Sequence, residues 1–126
     1  MIELRRIVYG LLHPLCGNLY YQEALQESSY PYMTFSFPST GRAYKEQVVY
    51  EVEIALYDTA KTGYNASSEI DRLTDNVIMS MDYKTGYSNG LHAWFKLEQR
   101  TELPFPDGTT MKGRLLRFTA TTYREI

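Results

Sequence analysis

Gln47 to Asp58 reads QVVYEVEIALYD, the one stretch of the chain that alternates for a dozen residues without interruption. Val48, Tyr50, Val52, Ile54 and Leu56 fall on one side and Val49, Glu51, Glu53, Ala55 and Tyr57 on the other, the period of a strand buried on one face. A strand this long is central to its sheet. At roughly 3.3 Å per residue it spans about 40 Å, more than the core of such a domain needs, so part of it is expected to project beyond its neighbours.

Outward from this strand, Tyr32 to Phe37 alternates Met33, Phe35 and Phe37 against Tyr32, Thr34 and Ser36, between Pro31 and Pro38. Neither proline can donate to a ladder, which suits a strand that begins and stops abruptly. Ser39-Thr40-Gly41 is turn chemistry, so these two strands are expected to form an antiparallel hairpin with a polar tip over 39–46. Leu91, Ala93, Phe95 and Leu97 alternate with His92, Trp94, Lys96 and Glu98, which predicts another strand. Pro106-Asp107-Gly108 supplies its turn, and a last strand runs from Lys112 to Tyr123 with Leu116, Phe118 and Ala120 on the core side. Asn18 to Gln22 supports only a short strand. Residues 23–29, 59–65 and 82–90 read as loops.

Two segments have helical spacing instead. Ile2, Leu4, Ile7, Val8, Leu11, Leu12 and Leu15 form one apolar stripe, with Glu3 near the positive end of the dipole and Pro14 as the stop. The second helix is capped by Ser67 or Ser68 and carries Ile70, Leu73, Val77, Ile78 and Met81 on one side, with Asp71, Arg72, Asp75 and Asn76 expected to face water. The fold expected is α+β: one domain over 1–126, an antiparallel sheet of about four main strands with two helices on one face.

Composition narrows the function classes. The 126 residues are 44% apolar and 22% charged, ordinary globular usage, and no run reaches the roughly 20 apolar residues of a membrane-spanning helix. A net charge of −2 offers no basic footprint for duplex nucleic acid. The single cysteine, Cys16, excludes an internal disulfide and a thiolate zinc cage, and fits a reducing compartment. Arg5 and Arg6 ahead of Ile7 to Leu12 imitate a signal peptide. The run is broken by His13 and Pro14, so export is not expected.

No constellation spells out a reaction, so the chain is not expected to be an enzyme and no cofactor or metal is implied. Glu51 and Glu53 share a strand face about 6 to 7 Å apart, a separation seen in glycosidase acid/base pairs, yet no sugar cleft accompanies them. Acids on the wet face of an antiparallel strand are ordinary, and a third option is that they line an electronegative channel. His13 and His92 have no partner at metal-ligand spacing. Twelve tyrosines suit half-buried faces and interfaces. Trp94, Tyr32, Tyr57 and Tyr123 fall on the outer face of the sheet, which is therefore either covered by a further element or used as an interface.

Taken in order, these pieces resemble the tail terminator, or tail-completion, proteins of long-tailed bacteriophages. The resemblance lies in an opening helix (Leu4 to Leu12), a proline and the short Leu19-Tyr20-Tyr21 strand. It continues through the Pro31-Tyr32-Met33-Thr34-Phe35 strand start, the very long strand Val48 to Tyr57, the helix start Ser67 to Leu73 and the final strand Leu115 to Tyr123. The 82–90 and 101–110 loops are longer than in that family. The resemblance implies a virion protein of the tail and neck, assembled in the host cytoplasm. Its subunits form a ring, usually of six, that caps the tail tube protein, stops its polymerisation and presents a docking surface to the head-completion or connector protein. It implies no cofactor, no membrane and no sequence-specific nucleic acid. On that view the contact candidates are Trp94, Tyr57, Tyr32, Tyr123, Tyr44, Arg42, Lys45, Tyr64 and Lys61, with Glu51 and Glu53 facing the lumen. The alternatives are another head-tail connector or minor capsid protein, or a small-ligand-binding domain or enzyme of unknown chemistry.

Overall fold

The computed structural model of the chain describes residues 2–24, 31–39, 41–59, 66–104 and 111–125. In chain order its elements are α1 (Ile2–Leu12), β1 (Leu19–Tyr21), β2 (Tyr32–Ser36), β3 (Arg42–Tyr44), β4 (Gln47–Thr59), α2 (Ala66–Met81), β5 (Thr85–Ser88), β6 (Leu91–Glu102) and β7 (Met111–Arg124). The strands make one seven-stranded sheet in the order β1-β2-β4-β7-β6-β5, with β3 also paired to β4. Only β1 and β2 run parallel; every other pair is antiparallel.

The length of β4 has a different cause from the one expected. β7 accompanies it from Val48↔Thr122 to Thr59↔Met111. On its other edge β2 pairs with Glu53 to Tyr57 and β3 with Gln47 to Val49. The strand therefore does not project; it is long because it serves two short partners end to end.

The sheet is also larger than four strands. β3 lies inside the stretch read as a hairpin tip, and Lys45, at φ 55°, turns the chain back into β4. β5 lies inside the stretch read as the 82–90 loop. Asn89 and Gly90 both have positive φ (48° and 88°), the two-residue hairpin turn whose twist matches flanking strands, and it sets Ser88 against Leu91 and Thr85 against Trp94.

Both helices cover one face of the sheet. Val52, Ile54 and Leu56 of β4, Leu116, Phe118 and Ala120 of β7, and Ala93 and Phe95 of β6 meet Leu4, Ile7, Val8 and Leu12 of α1 and Ile70, Val77 and Met81 of α2 in a single buried cluster. α1 stops where Pro14 follows, and the Leu12 carbonyl accepts from the N–H groups of Leu15 and Cys16 (2.9 and 3.3 Å). α1 lies so close on β5 that a methyl added at Gly86 would overlap Ile7 Cγ2.

The α2 surface differs from its reading in two ways. Thr74 is fully buried, because its hydroxyl donates to the Ile70 carbonyl one turn back (2.6 Å) and enters the core already satisfied. Asp71 and Asp75 do not simply face water. A register shift between Leu97 and Gln99 sets Arg100 opposite Leu116, on the helix side, where it reaches Asp75 at 2.9 Å and Asp71 at 3.7 Å. Arg114, its side chain 8% exposed, donates from Nε to Asp71 (3.1 Å) and from Nη1 to the Gly113 carbonyl (3.0 Å). These two arginines fasten α2 to the sheet.

Candidate functional site

Cross-strand partners share a face, so the face opposite the helices can be read row by row from the register. Among the described residues no helix or strand covers it. One row is Thr34, Ala55, Leu115 and Thr101; the next, Ser36, Glu53, Arg117 and Gln99; then Glu51, Thr119 and Lys96; then Arg42, Val49, Thr121, Trp94 and Thr85. The face is thus apolar and aromatic at its ends and charged across its middle.

The aromatic residues expected on this face form two groups, not one. Tyr32 and Tyr57 are paired across β2 and β4 and stack at 4.8 Å. Burial pushes the Tyr57 phenol up, and the charge of Glu53 adds to that. Trp94, 38% exposed, and Tyr123, 46% exposed, lie toward the other end of the sheet. Tyr57 and Val49, which marks the Trp94 row, are separated by roughly 26 Å along β4 at 3.3 Å per residue.

Around Trp94 the structure adds side chains that the sequence reading did not assemble. His92 stacks on Tyr123 with ring centroids 4.8 Å apart and an interplanar angle of 7°, and Tyr87 leans on its other side at 4.7 Å. His92 Nε2 lies 2.8 Å from Glu125 Oε1. Thr85, Gly86 and Ala93 floor a concavity of about 340 Å³ walled by Tyr87, His92, Trp94 and Tyr123. The signal that finds this cluster is Asn89-Gly90, since a two-residue turn there places Tyr87 opposite His92.

The two acids are compensated differently from a bare electronegative surface. Glu53 lies 3.8 Å from Arg117 across β4 and β7, and Glu51 Oε2 accepts from the Ser39 hydroxyl at 3.4 Å. Arg42 is exposed on β3 and Lys45 sits in the turn that follows; of Tyr44 the backbone is described, opposite Gln47. Lys61 and Tyr64 lie outside the described residues.

On the helix side, Leu15, Pro31, Asp58, Thr59, Leu73 and Asn76 border an open groove of about 610 Å³. The Asp58 carboxylate there accepts from the Thr59 N–H at 2.8 Å. Cys16 is buried and its thiol points to the Pro31 carbonyl at 3.5 Å; burial pushes its pKa up, away from the thiolate a nucleophile needs. Among the described residues no three His, Cys, Asp or Glu side chains converge as metal ligands. No described helix is long and apolar enough to cross a membrane.

The fold is similar to that of a virion chain. In the solved structure of the virion of a native gene transfer agent particle, one chain matches with a TM-score of 0.73 over 96% of this chain and 95% of that chain, at 14% sequence identity. At that identity the likeness is one of fold, and it spans both chains almost end to end. No protein-family model and no curated protein sequence matches the chain.

Proposed function

We propose that this chain is a structural protein of a phage-like virion, and within the virion a tail terminator. The observation that carries the reading is the fold shared over nearly the whole length with a chain of the gene transfer agent virion. The order of elements from α1 to β7 points the same way. So does a sheet face that shows Trp94, Tyr123 and Tyr87 at 38 to 56% exposure, since a broad apolar surface marks a contact with another macromolecule. The role is mechanical. Subunits form a ring, six in number, on the last ring of the tail tube; the ring halts polymerisation and offers the head connector its docking surface in the neck of the particle. No catalysis and no cofactor enter this reading. Trp94, Tyr123, Tyr32, Tyr57, Arg42 and Lys45 are its contact residues, and Glu51 and Glu53 border the lumen.

Assembly of particles lacking the protein is the direct test. The expected products are overlong tail tubes and heads that fail to join, seen by electron microscopy. Tails of normal length beside unjoined heads would instead assign the chain to the connector.

A further inference from the structure

Two sheet edges are left without a partner strand at the same end of the molecule among the described residues. Across that end the strands run β3, β4, β7, β6, β5, so β3 forms one margin and β5 the other. Arg42 and Trp94 belong to one row on the open face, three strands and roughly 14 Å apart at about 4.8 Å per strand. An arginine side chain does not cross that width within its own sheet.

The two margins differ in chemistry. The Arg42 side chain is exposed and makes no hydrogen bond or ion pair among the described residues. At the other margin, the recess between Tyr87, His92, Trp94 and Tyr123 has no lysine or arginine in its lining, and beside it stands the Glu125 carboxylate, 55% exposed. Ring faces are negative and attract cations, most of all a flat guanidinium that can lie on a ring. Trp94 and Tyr123, 38% and 46% exposed, offer such rings beside the His92–Tyr123 stack. A site for stacked single-stranded nucleic acid would need cations along its groove, and the lining supplies none.

We propose that Arg42 of one copy of this chain enters the aromatic recess of a second copy, with the β3 edge of the first lying along the β5 edge of the second. The two surfaces are different patches of one molecule, so the contact is head-to-tail, and its repetition generates a ring when the rotation closes and a filament when it does not. This gives the ring of the proposed function its subunit contact. The contact is read on the purified protein, so that failure of the tail role and failure of the contact are separate results.

The experiment uses two variants that leave Arg42 and the recess intact. Ala43→Cys on β3 and Ser88→Cys on β5 both sit on the helix side of the sheet, as their partners Val48 and Leu91 do. Mixed and treated with a short bismaleimide, they are expected to give a covalent pair, while the buried Cys16 stays silent. The yield should fall about tenfold when the Ala43→Cys copy also carries Arg42→Glu, or the Ser88→Cys copy Trp94→Ala, with unchanged melting temperature, and less with Arg42→Lys. Cross-linking indifferent to these substitutions would overturn the proposal. So would the absence of the mixed product up to about 1 mM protein, or binding of an oligo(dT) probe that is lost in Trp94→Ala.

Discussion

Phe95 and Trp94 are neighbours in β6 with opposite surroundings: Phe95 is fully buried under the helices and Trp94 is 38% exposed on the other face. Phe95→Ala should therefore lower stability by about 3 to 5 kcal/mol, since it leaves a cavity, whereas Trp94→Ala should cost less than about 1 kcal/mol. Urea unfolding of the two variants checks this, and a large loss for Trp94→Ala would place the indole in the core. Cys16 and Tyr57 carry the alkaline side of the pH dependence. Both are held above their ordinary pKa by burial, so the folded chain keeps these protons at a pH where the unfolded chain has released them. Their contribution is intact below the unfolded thiol value of about 8.5 and is lost as pH rises through the folded values. The urea midpoint should fall on the alkaline side, less steeply in Cys16→Ala, and Cys16 should react with dithionitrobenzoate far more slowly in the folded than in the urea-unfolded chain.

At the scale of the element, the two glycines of the α1 layer make opposite predictions. Gly86 lies under Ile7, so Gly86→Ala must push helix and strand apart and should cost about 1 to 3 kcal/mol. An added methyl at Gly10 meets nothing within 4 Å in a helix, so Gly10→Ala should raise stability by roughly 0.5 to 1 kcal/mol. Melting curves of both decide it, and equal effects would mean that α1 is not seated on β5. The long elements were legible because periodicity extends over many residues: β4, β6, β7 and both helices follow from their apolar spacing. β3 and β5 were not, since strands of three and four residues show no period, and only the Asn89-Gly90 pair announced the second of them.

For the molecule as a whole, the division of the sheet into a helix-covered face and an open one could be read from the alternation of Val52, Ile54 and Leu56 with Glu51 and Glu53. The arrangement of the open face could not. Which tyrosines meet depends on register between strands far apart in sequence, and so Tyr32 joined Tyr57 while Tyr123 joined His92 and Tyr87. Pairing also removed the idea of a projecting β4, because β2 and β3 share an edge that the sequence shows only as length.

Beyond Thr85, where β5 begins, the Asp82 carboxylate takes the Leu97 N–H at 2.8 Å, and the β6 ladder shifts register immediately afterwards. A strand arriving from outside therefore finds four residues to follow and then a donor already engaged and a kinked backbone. A lateral contact at this margin therefore stays four residues long, and most of what holds two copies together there must come from side chains.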